Sequence, residues 1–169
     1  MINLKETPEV IKILHFLNEI HINVIEKQLE DNTFLPGLAI ASNCIEIDFD
    51  KLLYPGDILH EAGHLAVTTS EERILIGTDS MSKEWPTQGD EIVSMLWSYA
   101  ALRHLELPIE FVFHPNGYKN ESPWLIENYT NENYIGLPLL EWMGLTISKE
   151  RASQEGKKPF PTMIKWLRD

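Results

Sequence analysis

Residues 59–66 read Leu59-His60-Glu61-Ala62-Gly63-His64-Leu65-Ala66 and contain the pattern His-Glu-x-x-His. Two histidines four positions apart differ by about 40° around a helix of 3.6 residues per turn, so both imidazoles can reach one ion. Glu61 follows His60 directly and projects beside the pair, where its carboxylate can take a proton from a water that a metal activates. Chance places the pattern in a chain of this composition roughly 2% of the time, so the flanking residues decide. Tyr54-Pro55-Gly56-Asp57 punctuates the chain just before it, and Asp57 is a candidate N-cap for a helix from Ile58 to about Thr69. Ala62 and Gly63 are small where a metal site needs close approach, although Gly in a helix interior costs about 1 kcal/mol relative to Ala. The competing reading is a pair of ordinary core or surface histidines.

Upstream, Thr7-Pro8-Glu9 starts a helix: a capping hydroxyl, proline in the first turn, and an acid that suits the helix dipole. Val10, Leu14, Leu17, Ile20 and Val24 recur at helical spacing, with Ile13 and Ile25 broadening the stripe, which predicts a helix to about Glu30. Leu38-Ala39-Ile40 and Cys44 to Asp48 predict a short hairpin around Ser42-Asn43. Downstream, Arg73-Ile74-Leu75-Ile76-Gly77 suggests a strand, and a buried helix is expected from Glu91 to Glu106, ended by Pro108. Phe111-Val112-Phe113 is short, and residues 120–133 and 149–158 read as polar loops. Short helices are expected at Gly136–Met143 and at Pro161–Leu167.

The helix expected after Gln88-Gly89 opens with Asp90 and Glu91, either of which can complete a coordination sphere. A strand pair, a His-Glu-x-x-His helix and a later helix that opens with an acid together resemble the zincin metallopeptidases. Within them the chain is most similar to the ImmA/IrrE family of bacterial metallo-endopeptidases. In that family the third ligand is a glutamate at the start of the next helix, which matches Glu91, 27 residues beyond His64. The resemblance implies zinc held by His60, His64 and Glu91, with Glu61 as the general base and a peptide or protein as substrate. Asp90 would then be an N-cap or a hydrogen-bond acceptor for a ligand histidine. The resemblance covers about residues 38–107. Ser94 and Trp97 depart from the alanine and phenylalanine usual there, and nothing from Pro108 onward matches. The Glu61 region also resembles the peptidase domain of the FtsH proteases, an assignment that would need an ATPase module and a membrane anchor.

The expected fold is therefore α+β: a zincin-like domain over residues 1–169, its small sheet packed on the His-Glu-x-x-His helix, with a mostly helical C-terminal portion from 108 to 169. The expected function is zinc-dependent hydrolysis of a peptide bond, with substrate held in extended form along the sheet edge near 38–48. Its rivals are a zinc-binding sensor or partner-binding module without turnover, and a hydrolase of a non-peptide amide. A net charge of −12 and a pI near 4.9 argue against a nucleic-acid partner. One cysteine, Cys44, excludes a disulfide framework and a multi-cysteine zinc site. No apolar run is long enough to span a bilayer, and Met1 to Glu6 lacks the basic start of a secretory signal, so a cytoplasmic protein is expected. His114 and Tyr118 are candidates to steady a developing oxyanion. His15, His21 and His104 read as structural, Cys44 as buried and inert, and Trp124, Trp142 and Trp166 as core.

Overall fold

The computed structural model describes residues 2–169, so of the Met1–Glu6 stretch only Met1 lies outside it. The hairpin forms as its alternation demands: β2 (Leu38–Ala41) and β3 (Cys44–Ile47) pair antiparallel, with Asn43 in the left-handed conformation (φ 47°) that a tight turn requires. A third strand, β1 (Asn23–Glu26), lies parallel to β3, and the order is β1-β3-β2. Strand β2 is thus an edge strand, in the stretch expected to offer one.

That third strand replaces half of the long first helix expected from the sequence. Helix α1 runs only over Pro8–Glu19, buries Val10, Ile13, Phe16 and Leu17, and then stops. His21 takes a left-handed φ of 65°, and the Ile22 N–H returns to the Leu17 carbonyl at 2.9 Å, closing the helix in the manner usually left to glycine. Ile25, expected on the helical stripe, is 51% exposed on β1.

Helix α2 (Asp57–Val67) is buried along its whole length, with the sheet on one side and α4 (Gln88–His104) on the other. The approach of the two helices is set by Gly63: a Cβ there would sit 2.7 Å from the Ser94 carbonyl oxygen. The strand expected at 73–77 is instead helix α3 (Ser70–Leu75), because Thr69 caps the Glu72 N–H and Ile74 faces solvent. Arg73 turns inward from α3 and donates to the carbonyls of Leu65, Thr68 and Arg168, satisfying acceptors that α2 leaves open at its C-terminus.

The portion beyond Pro108 is mostly helical, as expected, although its elements differ from those read in the sequence. Helices α5 (Ile109–Val112), α6 (Ser122–Thr130), α7 (Leu137–Trp142) and α8 (Lys149–Glu155) follow in turn. Both α6 and α8 fall where polar composition reads as loop; Leu125 and Tyr129, four apart, bury one face of α6, and Ser148 caps α8. The helix expected at 161–167 does not form. That segment is irregular and places the Trp166 ring against Phe16, Trp97 and His104. Trp124 and Trp142, expected in the core, are 50% and 70% exposed. One continuous apolar cluster nonetheless runs from Ile13 on α1 to Phe160. No helix among the described residues is long and apolar enough to cross a membrane.

Candidate metal centre

Helix α2 carries His60, Glu61 and His64, all buried, with potential ligand atoms within 4.8 Å of one another, so the group could hold a metal ion. The histidines stand one turn apart, their rings nearly perpendicular and their Nε2 atoms 3.3 Å apart. Glu91, in the first turn of α4, brings one carboxylate oxygen to 3.3 Å from His64 Nε2 and the other to 3.7 Å from His60 Nε2. Ligands at about 2.0–2.1 Å from a tetrahedral ion lie about 3.3 Å from one another, so the separations suit an ion of this size. Glu91 is partly open to solvent, which gives the cluster an accessible side.

At 3.3 Å the two Nε2 atoms are within reach of one proton or one cation shared between them. Burial holds His60 down to about 3, with the His64 charge adding and Glu91 opposing. For His64 burial also works against the charge, but its hydrogen bond to Glu91 and the fields of Glu61, Glu91 and Asp90 outweigh it and raise the pKa. The hydrogen bond to His64 in turn lowers Glu91. Burial pushes the Glu61 carboxyl up to about 7, against the pull of His64 and with help from Asp57 and Glu91. A carboxyl balanced near neutrality can both accept and return a proton.

Asp90 is engaged in capping α4. Its carboxylate accepts from the Thr87 N–H at 2.8 Å, while its own N–H donates to the Thr87 hydroxyl, a capping box that starts α4 three residues before Glu91. Nor is Asp57 the N-cap of α2, since Gly56 occupies that position. The Asp57 side chain instead pairs with His114 Nε2 at 2.8 Å, beneath the stacked ring of Tyr54. Burial raises the Asp57 pKa, opposed by this bond.

The segment that follows His114 folds over the site. Tyr118, Lys119 and Asn120 all have positive φ, a costly run for residues other than glycine. It sets the Tyr118 ring edge-on to His60 at 5.4 Å. The Tyr118 hydroxyl is buried with no hydrogen-bond partner, and burial raises its pKa well above the ordinary phenol value. Of the two oxyanion candidates, therefore, His114 has its Nε2 engaged and Tyr118 has a free donor.

On the opposite side Trp85 packs against the His64 ring at 5.9 Å and donates from Nε1 to Thr68. It borders an open groove of ≈ 550 Å³ that Met81, Lys83 and Gly77 also line. No sequence pattern singles out Trp85. His15 is exposed near Glu19, His21 ends α1, and His104 packs at the core edge, so none of these joins the cluster. Cys44 is buried, as expected, and burial raises its thiol pKa.

Comparison with known proteins returns no counterpart: no protein-family model, curated protein or solved structure matches the chain.

Proposed function

We propose that the protein is a zinc-dependent peptidase with a zincin-like core, in which His60, His64 and Glu91 hold the ion and Glu61 is the general base. The observation that carries this reading is the convergence of both histidine Nε2 atoms and the Glu91 carboxylate within 3.3–3.7 Å, with Glu61 alongside. Two imidazoles and one carboxylate form a donor set that suits zinc and leaves a fourth position open. When bound, zinc lowers the pKa of water and polarises a carbonyl.

The chain's own residues supply the rest. Glu61 accepts the proton of the attacking water and passes it to the leaving amine. The Tyr118 hydroxyl donates a hydrogen bond to the carbonyl oxygen as it gains charge, and its raised pKa keeps that proton in place. As an edge strand, β2 is where an extended substrate would pair, beyond the Leu38 N–H that already bonds the Leu35 carbonyl.

Zinc content of wild type and His60→Ala, together with peptide-mixture digestion by wild type and Glu61→Gln read by mass spectrometry, tests the proposal. Wild type should carry about one zinc and cleave. His60→Ala should lose the metal, and Glu61→Gln should keep it while losing at least about 100-fold in cleavage rate. Metal-free wild type would sink the reading. Zinc-loaded wild type that cleaves nothing would point to the sensor or binding module instead.

A further inference from the structure

The two ligand histidines are not held alike. His60 Nδ1 is buried without a hydrogen-bond partner, whereas His64 Nδ1 lies 3.2 Å from the hydroxyl of Ser94, one turn after Glu91 on α4. Ser94 is fully buried. Its Oγ is also 2.6 Å from the Asp90 carbonyl oxygen, and two oxygens approach that closely only with a proton between them. A serine hydroxyl has one proton, and here it goes to Asp90. Its lone pairs face His64, so the proton in the second bond belongs to His64 Nδ1. A neutral imidazole with its proton on Nδ1 has its lone pair on Nε2, the atom that faces His60 and Glu91.

We propose that Ser94 is the positioning residue of the metal centre: by accepting the His64 Nδ1 proton while donating to the Asp90 carbonyl, it fixes the tautomer and ring plane that direct His64 Nε2 at the ion. The inference rests on the metal reading above. Gly63 makes it geometrically available, since any side chain there would strike the Ser94 carbonyl and force α4 away from α2. One helix of α4 thus supplies a ligand, Glu91, and a turn later the group that orients another.

The test is zinc affinity by competition with a chromogenic chelator, for wild type, Ser94→Ala, and the equal-shaped pair Ser94→Thr and Ser94→Val. Affinity should follow the hydroxyl: Ser94→Ala and Ser94→Val should each bind about 10–100-fold more weakly than their hydroxyl-bearing counterparts. A slowly exchanging His64 ring proton, visible by nitrogen-edited NMR in zinc-loaded wild type, should be lost in Ser94→Ala while the backbone amide spectrum persists. If wild type binds zinc and Ser94→Ala binds equally well, the role of Ser94 is overturned and the metal reading stands. If wild type takes up no zinc, both fall. Should Ser94→Thr or Ser94→Val fail to fold, the Ser94→Ala comparison decides alone.

Discussion

His60 and His64 occupy the same helix face and are almost equally buried, yet their surroundings tune them in opposite directions. His64 has Glu91 beside it and its pKa is raised, whereas burial keeps His60 neutral down to about 3. In the metal-free protein His64 can therefore carry both ring protons, donating one to Ser94 and one to Glu91. A metal must displace the second of these. Because proton and metal compete for His64 Nε2, apparent zinc affinity should fall as pH drops, beginning above rather than only below the ordinary histidine pKa. Chelator competition between about pH 8 and about pH 6 checks this, with affinity expected to decline progressively toward the acidic end. Flat affinity across that range would mean His64 is not protonated before metal arrives. The sequence made His60, Glu61 and His64 legible because a fixed spacing on a helix fixes direction, whereas Glu91 was singled out over Asp90 only by the family resemblance. Ser94 left a fainter trace, a small hydroxyl three residues after Glu91, and Trp85 left none.

Helices α2 and α4 form the centre as a pair, and Gly63 governs how closely they approach. The Gly63→Ala variant removes the helix-propensity cost of glycine but puts a methyl group 2.7 Å from backbone at Ser94, which cannot rotate aside. Overpacking should win, lowering stability by about 1–3 kcal/mol in urea denaturation and weakening zinc binding as Glu91 and Ser94 retreat. A more stable variant would show that the helices can separate at no cost. The elements most visible in the sequence were those whose signals were local and mutually consistent, such as the β2–β3 hairpin around Ser42-Asn43. The run Arg73 to Gly77 suggested a strand by its apolar residues alone, whereas the Thr69 side chain caps a helix there by accepting from the Glu72 N–H. The end of α1 was hidden because a histidine, not a glycine or proline, takes the left-handed position.

Across the whole molecule, the C-terminal segment completes α2 rather than hanging beyond it. The Arg168 N–H reaches the Ala66 carbonyl at 2.9 Å, its guanidinium reaches Val67, and Arg73 holds the Arg168 carbonyl. Trp166 anchors this segment, with its carbonyl accepting from Trp97 Nε1 at 2.9 Å and its ring edge-on to Phe16. The Trp166→Ala variant should lose about 3 kcal/mol in urea denaturation of the metal-free protein. Zinc affinity should fall with it, because the last carbonyls of α2 lose partners. A loss confined to local fluorescence, with stability and affinity intact, would mean the segment merely rests on the surface.

What the sequence determined by itself was the α+β composition, the hairpin and the helix bearing His60, Glu61 and His64, while it offered both Asp90 and Glu91 at the start of the later helix. All of these follow from short-range rules: helical period, turn chemistry and ligand spacing. Only the tertiary structure decided that β1 joins the sheet, that Asp90 caps α4 and Asp57 pairs with His114, and that the Ser94 hydroxyl meets His64 Nδ1 while the Tyr118 ring packs edge-on to His60. Those are choices between partners distant along the chain, such as Asp57 and His114. They depend on how closely α2 and α4 pack and where the chain returns, which no local spacing records.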